Sequence, residues 1–342
     1  AGGHVFSYKA MFRAWSPELA CNSPARVLGT VSLEDTAYNV RVEAFAASAV
    51  TTGDGSEGRC GSVACVSSDV DALVSKLWTA RLSVNPKMFD GPVLTLMGFT
   101  ECAIGLKVIL ARSSYRYNLF RKALTEILCE KPVGDNDKLS DLVSAAPDGF
   151  REALYALSSE ERKQVLGLTG GVGVGALVFP RDNLLILGRR CSHTPVFPDC
   201  WAYIGGTLDD MDPEGVMRSE IIEELGIHED DLECIRFSSL WNTGKGHAWV
   251  PALMYVARVT SSADEIRHVC WPRAKDKDEH TDLLFLDIGG MAREGTEGGP
   301  QACLSHALDA LENETGAALT PFSRAYILTE AQKAWKYLSV AS

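Results

Sequence analysis

The sequence predicts an α/β (α+β) protein built from two domains. The chain has 342 residues, about twice the size of a typical domain. Short apolar runs of strand composition alternate with longer runs of helical period. Helices and antiparallel hairpins are interleaved, which favours a mixed sheet sandwiched between helices. We place a smaller α+β domain at 1–166 and the mixed-sheet domain at 167–342.

The first domain alternates strands with helices. Its clearest helical segment is one in which Leu73 and Leu77 share a face and Asp69 can cap the start. Another helix ends before Pro132, because proline cannot continue it. The predicted strands include 27–33, 38–46, 93–99 and 104–111, and the predicted helices include 69–82, 117–130 and 150–157.

The second domain follows the glycine-rich run 167–176. The runs VGALVF and NLLILGRR flank the turn Pro180-Arg181-Asp182 and predict a β-hairpin. Three later runs of strand composition are LECIRFSSLW, WVPALMYVARV and DLLFLDI. Two helical runs, ACLSHALDALENE and FSRAYILTEAQKAWKYL, close the chain.

Composition restricts the partners. The 33 basic and 45 acidic residues give a net charge of −12, which disfavours nucleic acid as a partner. An anionic small molecule is compatible with this charge, because carboxylates can hold a divalent cation. No apolar run approaches the ~18 residues of a membrane span. Ten cysteines without a CxxC motif favour reduced thiols in a reducing compartment, either the cytoplasm or, if a leader was removed, the mitochondrial matrix.

A carboxylate cluster lies within GGTLDDMDPEGVMRSEIIEELGI, residues 205–227. On a helix ending at Gly226, which suits the left-handed terminal position, Glu220, Glu223 and Glu224 occupy positions i, i+3 and i+4 and project from one face. Hard oxygen ligands at this density suit Mg²⁺ or Mn²⁺. A solvated acidic helix face is the alternative interpretation.

The same segment resembles the Nudix box, in which a glycine and spaced acids precede R-E-U-x-E-E-x-G-U, where U is a bulky aliphatic residue. Met211 stands where the box has a glutamate and Ser219 where it has an arginine. Three nearby acids are candidates to replace the missing glutamate: Asp210, Asp212 and Glu214. Seven positions fall in register without an insertion: Gly205, Glu220, Ile221, Glu223, Glu224, Gly226 and Ile227.

Further pieces of the chain are similar to the UDP-glucose (UDP-sugar) pyrophosphatases, a Nudix subgroup with an extra N-terminal domain and a degenerate box. In that subgroup too the arginine is lost, so Ser219 is a shared departure. The resemblance implies a Nudix α/β/α sandwich after the N-terminal domain. The similar pieces, which span most of 70–330, include KLWTARLSVNPKMFDGP, ARSSYRYNL, GVGALVFPRDNLLILGRR and EHTDLLFL.

The resemblance implies hydrolysis of a small-molecule nucleotide sugar with Mg²⁺ (or Mn²⁺), converting UDP-glucose or UDP-galactose to UMP and a sugar 1-phosphate. It implies Glu220, Glu223 and Glu224 as metal ligands, and the same three with Glu279 as catalytic residues. His280 follows Glu279 in an expected loop. The implied substrate-binding residues are Arg189, Arg190, Gly205, Gly206, Phe89, Asp90, Tyr115 and Arg116.

The candidates for substrate binding are expected to contact different parts of the substrate. Arg189 and Arg190 end a strand and could pair with phosphate. An aromatic side chain could stack on uracil, and Asp90 could accept a hydrogen bond from its N–H. For Phe89 and Tyr115, packing in the core is the default interpretation.

Two alternatives stay open. The chain could be a Nudix-fold subunit of a larger assembly, including an RNA-processing 5′-pyrophosphohydrolase, or a catalytically silent scaffold. Met211 and Ser219 favour the scaffold, whereas three retained glutamates disfavour it. The sequence leaves the identity of any protein partner open.

Overall fold

The computed structural model describes residues 5–6, 26–30, 39–44, 67–84, 86, 88–102, 105–128, 148–159, 161, 171–192, 194, 197–243, 250–293 and 300–340. The strands in these residues are β1 (Val5–Phe6), β2 (Arg26–Thr30), β3 (Asn39–Ala44), β4 (Pro92–Cys102), β5 (Gly105–Ser114), β6 (Gly173–Phe179), β7 (Leu185–Arg190), β8 (Trp201–Ala202), β9 (Leu232–Asn242), β10 (Pro251–Val259) and β11 (His280–Leu286). The helices are α1 (Ser68–Val84), α2 (Tyr115–Leu128), α3 (Phe150–Ala156), α4 (Pro213–Leu225), α5 (Ala263–Glu265), α6 (Ile288–Arg293), α7 (Pro300–Thr315), α8 (Pro321–Tyr326) and α9 (Gln332–Val340).

Short turns of other helical types complete the elements. A π turn (Ile266–Cys270) and a 3-10 turn (Trp271–Arg273) extend α5, and a second π turn (Ile327–Ala331) joins α8 to α9. Further 3-10 turns are Glu229–Asp231 and Lys277–Glu279. None of the described helices is long and apolar enough to span a bilayer.

The larger sheet is mixed, as predicted. Its strand order is β11-β7-β6-β10-β9-β2, with β8 paired to β7. The pair β6–β10 is parallel, whereas β7 and β9 run antiparallel to their neighbours. The predicted hairpin joins β6 to β7 through a turn in which Asn183 has a φ of 62°, a left-handed conformation that asparagine tolerates.

Helices cover both faces of this sheet, because alternate side chains of a strand point to opposite faces. Leu253 and Tyr255 of β10 pack with the residues of α4, whereas Met254 and Val256 pack with the C-terminal helices α7, α8 and α9. All nine residues of β10 are buried. The predicted α/β arrangement, a mixed sheet between helices, is confirmed.

A smaller sheet has the order β1-β4-β5-β3. The backbone of Leu94 in β4 bonds in both directions, donating to Leu208 O (2.8 Å) and accepting from Val172 N (2.7 Å). Leu96 and Leu110 of this sheet join the same apolar cluster as the α4 face of the large sheet. The smaller sheet therefore packs directly beside the segment that leads into α4.

The N-terminal helices form a separate apolar cluster, in which α1, α2 and α3 pack together. The predicted helices 69–82, 117–130 and 150–157 correspond to these three elements. Strand β2, from the predicted first domain, pairs with β9 in the large sheet. The predicted boundary between 166 and 167 lies outside the described residues, and the division into two domains stays a prediction.

Candidate active site

Helix α4 carries the carboxylate cluster, and local sequence fixes both of its ends. Asp212 caps its start by accepting a hydrogen bond from Gly215 N (3.1 Å), and Pro213 occupies the first turn, where no backbone donor is needed. Gly226 ends it with a φ of 68°, the left-handed conformation that glycine adopts without strain. Ile221 and Leu225 are buried against the sheet, and the predicted helix that ends at Gly226 is confirmed.

The three glutamates of α4 have three different environments. Glu220 is partly buried and lines a cavity. Glu223 forms an ion pair with Lys275 Nζ at 2.8 Å. Glu224 is only 1% exposed and binds His280 Nε2 through Oε2 at 2.9 Å. Helical spacing alone predicted one shared face, but only Glu220 of the three lines the cavity.

The cavity has a volume of about 590 Å³, within the usual range for small-molecule sites. It gathers seven of the residues that the sequence suggested from distant parts of the chain. The C-terminal half supplies the box glycines, one glutamate, Glu279 and one arginine, and the N-terminal half supplies two aromatics. These residues are Phe89, Tyr115, Arg190, Gly205, Gly206, Glu220 and Glu279.

At Gly205 and Gly206, other atoms of the chain lie too close to leave room for a side chain. Gly206 exchanges backbone hydrogen bonds with Val174 of β6, each 3.0 Å long. Gly205 has a φ of 152°, and a Cβ there would collide with Val174 O. A Cβ on Gly206 would collide with the carboxylate Oε1 of Glu220. The absence of a side chain at Gly206 therefore gives Glu220 its position against the loop.

Negative charge is concentrated around Glu220. Burial raises the pKa of Glu220 to about 8, and repulsion from Glu224, Glu279, Asp276 and Glu223 adds to this rise. A partly buried carboxylate surrounded by other carboxylates takes up a proton unless a cation binds nearby.

Neighbouring contacts set the pKa values of the other two glutamates. Burial raises the pKa of Glu224, although the hydrogen bond from His280 opposes the rise. The hydrogen bond from Lys275 lowers the pKa of Glu223. Glu223 is therefore anionic at neutral pH, but a cation already occupies its carboxylate.

The donor set fits Mg²⁺ only in part. Among the described residues, no three His, Cys, Asp or Glu side chains form a ready metal-binding group. However, Mg²⁺ is usually bound by one or two carboxylates, with water and substrate phosphates as the other ligands. Glu220 and Glu279 both line the cavity. Glu279 is close enough to Glu220 to contribute to its raised pKa. The site therefore suits a cation that enters with a phosphorylated ligand.

The acids considered as replacements at Met211 are engaged elsewhere. Asp212 caps α4, Asp210 accepts from Asp212 N (3.1 Å), and Glu214 pairs with Arg218 at 3.7 Å. None of these three lines the cavity, whereas Asp209 does. Met211 packs against the main apolar cluster, which gives that position a structural role.

The two adjacent arginines of β7 have separate locations. Arg190 lines the cavity and Arg189 does not, as expected for neighbours on a strand. In the register with β11, Arg190 lies beside His280 and Arg189 beside Asp282.

The N-terminal candidates also divide. Phe89 lines the cavity and is 75% exposed, so the expectation of core packing was wrong for this residue. Tyr115 lines the cavity and packs edge-to-face on Trp78, with centroids 6.5 Å apart. Asp90 accepts from Arg116 N at 2.9 Å and pairs with its Nε at 3.3 Å. Asp90 and Arg116 thus bind each other and do not line the cavity.

Sequence reasoning misplaced one residue near the site and missed others. His280 was expected in a loop, but it is the first residue of β11, buried with its ring against Gly188. Lys122 and Asn118 line the cavity without having been singled out. Their spacing from Tyr115, i+3 and i+7 on α2, was a usable signal, because it places all three on one helical face.

Solved structures similar to this chain include a mutT/nudix family protein from Listeria innocua, with 14% identity and a TM-score of 0.31, covering 50% of this chain and 95% of that chain. The NUDIX domain of Shewanella oneidensis NrtR complexed with ADP ribose has 16% identity and a TM-score of 0.26, covering 47% and 97%. A MutT protein from Methanosarcina mazei Go1 has 17% identity and a TM-score of 0.25, covering 42% and 94%.

No family model and no curated protein matches the chain. At these TM-scores the similar structures support no conclusion about substrate or mechanism.

Proposed function

We propose that this protein is a Nudix-type pyrophosphohydrolase that hydrolyses a nucleoside diphosphate linked to a sugar, with UDP-glucose or UDP-galactose as substrate. The observation that carries this proposal is the position of Glu220. Its carboxylate lies against a glycine loop in a cavity, and burial together with repulsion from neighbouring carboxylates raises its pKa to about 8. Such an excess of buried negative charge is a frequent mark of a functional site.

Residues that line the cavity support recognition of the base and the diphosphate of such a substrate. Phe89 and Tyr115 offer aromatic surfaces on which a base can stack. Arg190 lines the cavity, and its planar guanidinium group suits phosphate oxygens. Glu220 would hold Mg²⁺ (or Mn²⁺). Glu223 and Glu224 would join it only after leaving Lys275 and His280, which bind their carboxylates. The bound ion would neutralise charge that develops on the diphosphate.

In the proposed reaction, a water molecule attacks one phosphorus atom and the bridging P–O bond breaks. The products are UMP and a sugar 1-phosphate, and a carboxylate takes the proton of the water. Glu279 suits this role, because it is exposed, lines the cavity and has no ion pair among the described side chains. Glu223 suits it less, because Lys275 holds its carboxylate.

A hydrolysis assay tests this proposal. The full chain is incubated with Mg²⁺ and, separately, UDP-glucose, UDP-galactose, ADP-ribose, NADH or triphosphorylated RNA. We expect UMP from the UDP-sugars, and about 100-fold less or none from Glu220→Gln. Glu229→Gln is the matched control, because Glu229 is exposed on the turn after α4. If no substrate is turned over with Mg²⁺ or Mn²⁺, the chain is a silent Nudix-type fold. Turnover confined to RNA would favour the 5′-pyrophosphohydrolase.

A further inference from the structure

Helix α2 contributes a polar wall to the cavity. Tyr115, Asn118 and Lys122 all line it, and their i, i+3, i+7 spacing places them on one face of α2. Phe120 and Leu124 are fully buried in the apolar cluster with α1 and α3. The cavity therefore depends on a helix from the N-terminal half, in addition to the elements around the glycine loop.

This wall is held in place by hydrogen bonding. Asn118 is 3% exposed, and its Oδ1 accepts from Gly171 N at 3.3 Å. Gly171 also forms a bridge with Thr95 of β4. These contacts anchor the first turn of α2 beside the start of β6, so the position of Lys122, one turn further along, is fixed relative to the glycine loop.

Lys122 is an unbalanced positive charge. Within the part of the chain that the structure describes, its side chain makes no hydrogen bond or ion pair. Burial lowers the pKa of Lys122 to about 8, with further contributions from the cations Arg121 and Arg190. Like charges brought together in a partly buried place are unfavourable, and a bound anion relieves their repulsion.

We propose that Lys122 and Arg190 form a phosphate-binding subsite in this cavity. They belong to different elements, α2 and β7, and both line the same space. A phosphate group carries enough charge and enough acceptor oxygens to bind two cations at once. The inference rests on the proposed function in one respect, since it assigns the subsite to one phosphate of the substrate diphosphate. Lys122 thereby joins the N-terminal half to the recognition of the substrate.

Calorimetric titration of the full chain in EDTA tests this subsite with three probes: uridine, UMP and inorganic pyrophosphate. We expect Lys122→Met to weaken UMP and pyrophosphate binding by about tenfold or more, and to leave uridine binding nearly unchanged. Lys122→Arg should retain most of the affinity, because it keeps the charge. Lys76→Met is the matched control, since Lys76 is exposed on α1.

Several results would overturn the subsite. The first is that the wild-type protein binds neither UMP nor pyrophosphate. The second is that Lys122→Met binds both as tightly as the wild type does. The third is that Lys122→Met loses affinity for uridine by the same factor as for UMP. Lys122→Gln replaces the methionine variant if the latter fails to fold. The titration needs neither metal nor turnover. A chain that binds phosphate through Lys122 but hydrolyses nothing would disprove only the proposed function. Hydrolysis of UDP-glucose with an unchanged KM in Lys122→Met would disprove only the subsite.

Discussion

Replacing Glu220 by glutamine should make the metal-free protein more stable at alkaline pH while removing its activity. The folded protein holds a proton on Glu220 up to about pH 8, whereas the unfolded chain releases it near 4.5. Between these values the folded state binds more protons than the unfolded state, so the free energy of unfolding of the wild type falls as pH rises. Glutamine carries no charge and avoids this loss.

The size of the effect follows from the two pKa values. The difference between 4.5 and about 8 corresponds, well above pH 8, to on the order of 4–5 kcal/mol. Part of this reflects repulsion among several carboxylates, so the neighbours share in the relief. Near pH 4 wild type and variant should differ little, because the wild-type side chain is then neutral in the folded protein.

Urea denaturation of both proteins in EDTA, at pH values from 4.5 to 9, measures this difference. We expect the denaturation midpoints to diverge as pH rises, with the variant more stable at pH 9. Adding Mg²⁺ at pH 9 should stabilise the wild type more than the variant, because a ligand that binds only the folded state stabilises it. Parallel pH profiles for the two proteins would refute the argument, since they would mean that Glu220 is not held among other carboxylates.

Three further substitutions test the geometry of the site. Gly206→Ala should reduce turnover about tenfold or more, because the Cβ of the new alanine displaces the carboxylate of Glu220. The thermal midpoint should change little, since that carboxylate is flexible. An unchanged kcat would show that this contact is unimportant. His280→Ala should lower the free energy of unfolding by about 3 kcal/mol, since it leaves the carboxyl group of Glu224 buried without its partner. In the same urea titration, the double variant that also carries Glu224→Gln should recover part of this loss. Phe89→Ala should change stability by less than about 0.5 kcal/mol, because the ring is exposed, but should raise the KM for the nucleotide; an unchanged KM would remove Phe89 from the site.

Local features of the sequence predicted much of the fold. The i, i+3, i+4 glutamates and the glycine terminator define α4, and the turn at Pro180 defines the β6–β7 hairpin. Both depend on interactions within a few residues, which composition and spacing report directly. The short α5 and the π turn after it were not predicted, because no regular period marks the run ADEIRHVCWPR.

The arrangement of the site was harder to predict from the sequence, because it depends on contacts between distant segments. Glu223 and Glu224 are adjacent in sequence, yet Lys275 binds one and His280 the other. Nothing within α4 indicates which glutamate will meet which partner. The side of β7 that reaches the cavity, which selects Arg190 over Arg189, likewise depends on the register of the sheet.

The pairing of β2 with β9 has a consequence for the order of synthesis. Arg26 lies opposite Asn242 at the outer edge of the large sheet. Because a ribosome makes the chain from its N-terminus, β2 emerges long before the strand it needs, and the sheet edge can close only after β9 has left the exit tunnel. A fragment that begins at 167 would keep β9 as an open edge, which is a template for aggregation. Expressed alone, such a fragment should sediment as larger species than the full chain.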